Sequence, residues 1–81
     1  MNSYIRLVHK NPKLNEKHMW YRLIDITSVR NVDWYLATIW GPNGMISSTV
    51  HAVPRDEYDE QVYRTMPKPS EVVPESIDDL L

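Results

Sequence analysis

Hydrophobic and polar residues alternate with a period of two over Ser3–His9, His18–Ile26 and Val32–Trp40, and less strictly over Met45–Val53. That period puts successive side chains on opposite faces of an extended chain, so four strands are predicted. In the first, Ile5 and Leu7 share one face, and Tyr4, Arg6 and Val8 share the other. In the second, Met19, Tyr21 and Leu23 oppose Trp20, Arg22, Ile24 and Ile26. Both of its faces are largely apolar, as in a central strand. The third places Val32, Trp34, Leu36, Thr38 and Trp40 against Asp33, Tyr35, Ala37 and Ile39. The fourth is interrupted by Ser47, Ser48, Thr49 and His51, which suits an edge strand, with Ile46, Val50 and Ala52 as its inward positions.

The connections carry turn chemistry. Gly41-Pro42-Asn43-Gly44 sets four turn formers in a row between the third and fourth strands, which predicts a hairpin. Lys10 to Lys17 is polar, contains Pro12, Asn11 and Asn15, and reads as a basic loop. Thr27 to Asn31 reads as a mostly polar connection. Beyond Val53 the spacing changes: Tyr58, Val62 and Met66 fall at i, i+4 and i+8. Pro54 suits the start of a helix, and Asp56 and Glu57 suit its positive end. A helix from about Arg55 to Thr65 is therefore predicted, ended by Pro67 and Pro69. The expected fold is α+β, a four-stranded, mostly antiparallel sheet with one C-terminal helix packed on one face. Residues 1–66 form the domain. Residues 67–81 form a flexible acidic, Pro-containing tail, whose Ile77, Leu80 and Leu81 have the spacing of a short docking segment.

Composition narrows the chemistry. Eighty-one residues support one domain. There is no Cys, which excludes disulfides, thiolate nucleophiles and Cys-based metal sites. The three His have no zinc-site spacing, both Gly lie in one turn so no phosphate loop exists, and no Ser sits in a nucleophile elbow. The chain reads as non-enzymatic, with no cofactor and no metal. The N-terminus lacks an apolar signal-peptide core and no apolar run approaches a membrane span, so a cytoplasmic protein without a membrane partner is expected.

Charge is uneven. The net charge of −2 divides into +4 over residues 1–30, −1 over residues 31–53 and −5 over residues 54–81. Lys10, Lys13 and Lys17 in the first loop, with Arg6, Arg22 and Arg30 on or beside the first two strands, outline a basic stripe. Trp20, Trp34 and Trp40 could offer rings for stacking, and basic groups interleaved with aromatics are the composition of a nucleic-acid-binding surface.

The stretch Tyr4 to Tyr63 resembles the WGR domain. The likeness runs through "YIRLVHKNP", "KLNEKH", "MWYRLIDI" and "DWYLATIWGPNG". Trp40 and Gly41 match the first two letters of the motif and Gly44 a later turn glycine, while Pro42 stands where the family has Arg. The resemblance implies nucleic-acid contact through Trp40, and Pro42 removes the bidentate phosphate contact of the motif Arg. The sequence thus predicts a small binding module for nucleic acid or a nucleic-acid-associated protein, acting through Trp40, Lys10, Lys13, Lys17 and Arg22. The alternatives are an interaction or inhibitor protein, from a phage or other mobile element, acting through an acidic helix and tail, and a structural subunit of a larger complex.

Overall fold

The computed structural model describes residues 3–15 and 18–71. Lys17, Ile77, Leu80 and Leu81 lie outside the described residues. The fold is a single antiparallel sheet of five strands: β1 (Tyr4–His9), β2 (Trp20–Val29), β3 (Val32–Trp40), β4 (Ile46–Pro54) and β5 (Tyr58–Tyr63). Their order across the sheet is β4-β3-β2-β1-β5, so β2, β3 and β4 form a meander and the last strand returns to pair with the first.

This corrects the predicted α+β architecture. Among the described residues there is no α-helix, and the sheet has five strands rather than four. The segment expected to be a helix over 55–65 is one 3-10 turn, Arg55–Glu57, followed by β5. The cause is an ambiguity of spacing. Positions i, i+4 and i+8 share a helix face, but four and eight are also even numbers, so the same residues share a strand face. Pro54, Asp56 and Glu57 do start a helical turn, which Tyr58 ends by adopting extended backbone (φ −128°, ψ 150°). β5 then pairs with β1 over its whole length, from Tyr4 with Tyr63 to His9 with Tyr58. As an outer strand it carries Asp59 and Glu60, charges that discourage pairing with a further chain.

β2 also runs longer than its polarity suggests. It continues through Thr27 and Ser28 to Val29, which pairs with Val32. Arg30 and Asn31 alone make the turn, with φ of 53° and 67°. Two consecutive positive φ values match the right-handed twist of a tight hairpin, and Asn tolerates them well. A bulge between Leu23 and Asp25 inserts Ile24 and reverses the facing of the rest of the strand. Ile26 consequently lies opposite Tyr35, away from the face of Trp20 and Arg22.

The core sits on one face of the sheet. Leu7, Tyr35, Ala37 and Val53 are buried there, with Tyr21, Leu23 and Tyr58 packed around them. On β4 the inward positions are His51 and Val53, opposite Ala37 and Tyr35, whereas Val50 and Ala52 are exposed. A register shift between Thr38 and Trp40 accommodates the extra polar residues of β4.

After β5 the chain crosses the width of the sheet. β5 is one edge, yet the Ser70 hydroxyl donates to the Pro42 carbonyl at 2.6 Å, in the turn between β3 and β4. Gly44, at φ 86°, lies so close to this strap that a Cβ there would be 3.3 Å from Lys68 Cγ. Pro69 is fully buried. Residues 67–71, assigned by sequence to the tail, thus pack against the Gly-Pro-Asn-Gly turn.

Candidate anion-binding face

The face opposite the core carries the cationic and indole side chains. Arg6 of β1 stands directly across from Arg22 of β2, and Arg22 directly across from Thr38 of β3. Gln61 of β5 completes the row beside Arg6. One row further along, Trp20 is opposite Trp40.

The aromatic rings pack on one another. Trp20 meets Trp40 edge to face at 5.3 Å and stacks parallel to Tyr63 at 5.8 Å. Tyr4 and Tyr63 close on Trp40 from further out, at 6.2 and 6.5 Å. These contacts bury Trp20 to 4% and Trp40 to 0% exposure. Trp40, expected to meet nucleic acid, therefore has no ring surface open to a base and serves as the centre of a second apolar cluster.

The arginines are held by this cluster. The Arg6 guanidinium lies 4.2 Å above the Trp20 ring and donates to Gln61 Oε1 at 3.2 Å, while Tyr63 donates to the same oxygen at 2.7 Å. Arg22 lies 5.4 Å from the Tyr4 ring. Cation–π contact holds a guanidinium in place but leaves its charge uncancelled. Among the described residues the ion pairs are His9–Glu57, Arg55–Asp33 and Lys68–Glu71, so neither Arg6 nor Arg22 has a carboxylate partner. Like charges directly opposite each other oppose sheet formation.

The same row concentrates unsatisfied donors. Arg6 Nε, Arg22 Nε, Thr38 Oγ1 and Trp40 Nε1 are buried without a hydrogen-bond partner, and all four lie on this face. Buried polar groups nearly always find partners, so these four are the donors on this face that the chain's own described groups leave unused.

Lys10 and Lys13 are exposed on the loop that joins β1 to β2, at the end of the sheet where Trp20 and Trp40 pair. That loop is shaped by side-chain to backbone bonds. Asn11 accepts from Lys13 N at 3.1 Å and caps a 3-10 turn over Pro12–Leu14. Asn15 grips His9 through both its N–H and its carbonyl, at 2.7 and 3.1 Å. His9 is itself fully engaged: Nδ1 accepts from Asn11 N at 2.9 Å, and Nε2 faces Glu57 at 3.4 Å. Of the residues expected at the site, the structure thus places Lys10 and Lys13 on the loop at the end of the sheet where Trp20 and Trp40 pair, and Arg22 one row further in on the face opposite the core. Arg6, which the sequence places only in the general basic stripe, is the partner that gives Arg22 its distinctive setting. Its position depends on which residues pair between β1 and β2, and no local pattern reveals that.

The acidic residues divide between the faces: Asp25, opposite Leu36, and Asp59, two residues before Gln61, lie on the face of Arg6 and Arg22. Asp56 and Glu57 lie on the turn before β5 and Asp59 and Glu60 on β5 itself, so the acidic helix of the alternative reading does not form. Glu60 accepts a hydrogen bond from Tyr35 on the core face. No helix among the described residues is long and apolar enough to cross a membrane. No family model, curated protein or solved structure matches the chain.

Proposed function

We propose that this chain is a non-enzymatic, WGR-like module that binds nucleic acid through its phosphates. The observation that supports this most is the Arg6–Arg22 couple, two arginines in register on the middle strands whose Nε groups have no partner and which form no ion pair among the described residues. A phosphate bridging the pair offsets their repulsion and accepts the charge-assisted hydrogen bonds they lack. Lys10 and Lys13 extend the positive field from the adjoining loop, and Lys17 belongs to the same stretch of sequence. The burial of Trp20 and Trp40 argues against base stacking on this face, so the contact is with the backbone and largely independent of sequence.

The test is a salt titration of binding to a short labelled duplex and to a single strand of the same length. Binding should weaken steeply between about 50 and 200 mM salt, with a slope set by the number of phosphates neutralised. The double variant R6Q/R22Q, and separately K10E/K13E/K17E, should reduce both the affinity and the slope. Absence of salt-dependent binding at low ionic strength, or binding unchanged in both variants, would sink the proposal.

A further inference from the structure

We infer that the outer edge of β2, beyond its bulge, pairs antiparallel with the same edge of a second copy of this chain. Such a dimer needs neither nucleic acid nor the Arg6–Arg22 pair.

β2 is interior to the sheet for only part of its length. β1 pairs with it at Tyr21 and Arg22, and among the described residues no strand pairs with its outer side from Asp25 to Val29. The turn fixes which backbone groups this leaves open. Val29 and Val32 close a two-residue hairpin, and such a closing pair exchanges hydrogen bonds. Backbone groups alternate sides along a strand, so Thr27 and Asp25 also face β3, while Ile26 and Ser28 turn theirs outward. The Ile26 N–H accordingly donates to the Asp25 carboxylate, at 2.8 Å. Ile24, Ile26, Val29 and Val32, all exposed, surround this edge. An open edge flanked by aliphatic side chains is a template for another strand. The outer strands of the sheet are better guarded. β5 carries Asp59 and Glu60, and β4 is interrupted by the register shift beside Ser47–Thr49, where Ser47 Oγ accepts from Thr49 N at 3.1 Å.

Charge selects a second copy as the occupant. Asp25 and Arg30 stand exposed at the two ends of the open edge, and neither forms an ion pair among the described residues. Two such edges laid antiparallel about a two-fold axis at Thr27 bring the Arg30 end of each against the Asp25 end of the other. Ile26 of each copy then exchanges backbone hydrogen bonds with Ser28 of the other. The Ile26 N–H passes from the Asp25 carboxylate to a backbone carbonyl, which frees that carboxylate for the arginine. Asp25 thus caps the edge in the single chain and becomes a counter-ion in the dimer. Thr27 meets Thr27 on the axis, a favourable cross-strand pair, and Ile26 and Val29 lose exposure along the join. An acidic or a basic strand from another protein matches one end of this edge, whereas the same edge inverted matches both.

The experiment is sedimentation equilibrium of the full chain at low salt, without nucleic acid. A contact made of one strand edge is small, so the dimer is weak, and the average mass should climb toward twice the monomer value from about 10 μM to about 1 mM. D25R and R30D each turn two attractions into repulsions and should raise the dissociation constant about tenfold. Mixing them pairs an all-basic edge with an all-acidic one and should restore association. The double variant D25R/R30D should self-associate as the wild type does. Ser28→Pro removes an outward N–H that takes no part in the bonds to β3, and should stay monomeric. Asp suits the positive φ of Arg30, so loss of the fold does not account for a monomeric R30D. A wild-type chain that stays monomeric throughout this range overturns the inference and leaves the edge to a strand of another kind. A dimer indifferent to D25R, R30D and Ser28→Pro overturns it by placing the contact elsewhere, and so do monomeric D25R and R30D chains that stay apart on mixing.

Discussion

The Tyr35 hydroxyl donates to Glu60 Oε2 at 2.9 Å, joining β3 to β5 across the two strands that separate them. Tyr35 is one of the most buried side chains of the core, while Glu60 lies on the outer strand. The bond therefore ties the edge of the sheet to its interior. Tyr35→Phe keeps the ring and removes the bond, and should cost about 1 kcal/mol in urea unfolding at neutral pH.

The same residue confers a dependence on alkaline pH. Burial, and then the hydrogen bond to Glu60, hold the Tyr35 hydroxyl above its ordinary value of 10.0. Burial also raises Tyr58, with smaller contributions from Tyr21 and Glu57. The folded chain keeps protons that the unfolded chain releases near pH 10, so this stabilisation is complete below about pH 10 and is lost as pH rises through the folded values. Unfolding midpoints should fall above about pH 10, and the fall should be smaller in Tyr35→Phe, as a denaturation series at stepped pH will show.

Trp40 is fully buried at the centre of three aromatic contacts, with Tyr4, Trp20 and Tyr63. Trp40→Ala should destabilise by about 3–5 kcal/mol, much of the stability a domain of this size has. Trp40→Phe should retain the fold. Thermal unfolding of the pair separates the structural role of this side chain from a binding role, because the Phe variant should bind nucleic acid as the wild type does.

The turn at Arg30 and Asn31 offers a gain. Arg is a poor residue for φ 53°, whereas Asn followed by Gly adopts two positive φ values at little cost. The double change Arg30→Asn with Asn31→Gly should stabilise by about 1 kcal/mol, and Asn31→Val should destabilise by at least as much. Guanidinium unfolding curves for the two variants test both signs.

Arg22 should show a trade between stability and binding. Arg22→Gln removes the charge facing Arg6 and forfeits only a distant contact with Tyr4. Stability should remain within about 0.5 kcal/mol of wild type, or rise at low salt, while affinity for nucleic acid falls. A parallel loss of both in the same protein preparation would instead assign Arg22 a purely structural role.

Much of the sheet was legible because it is written in short-range alternation. β3 runs from Val32 to Trp40 as its pattern predicts, and the first, second and fourth strands shift by only a few residues at their ends. Failures came where one spacing serves two structures or where structure depends on a distant partner. Tyr58, Val62 and Met66 fit a helix and a strand equally, and only pairing with β1 settles the choice. Thr27 and Ser28 look like a loop, although a two-residue turn at Arg30–Asn31 lets them extend β2. The basic character of the site was visible in Lys10, Lys13 and Arg22. Its focus at Arg6 and Arg22 was not, because sequence separates those residues by a loop whose length says nothing of register. Trp40 drew attention through its neighbours in the chain, yet its exposure is decided by Tyr4, Trp20 and Tyr63.

β1 pairs with β5 along six residues and with β2 at two. The sheet is therefore a three-stranded piece and a two-stranded ribbon, joined along a narrow seam that runs between Arg6 and Arg22. Two cations face each other where the fewest ladder bonds resist them, so this is the line along which the molecule should breathe. Amides bordering the seam should exchange with solvent faster than those between β2 and β3. An anion seated across it acts as a rivet, and slower exchange there would register occupancy even by a ligand that moves no other atom.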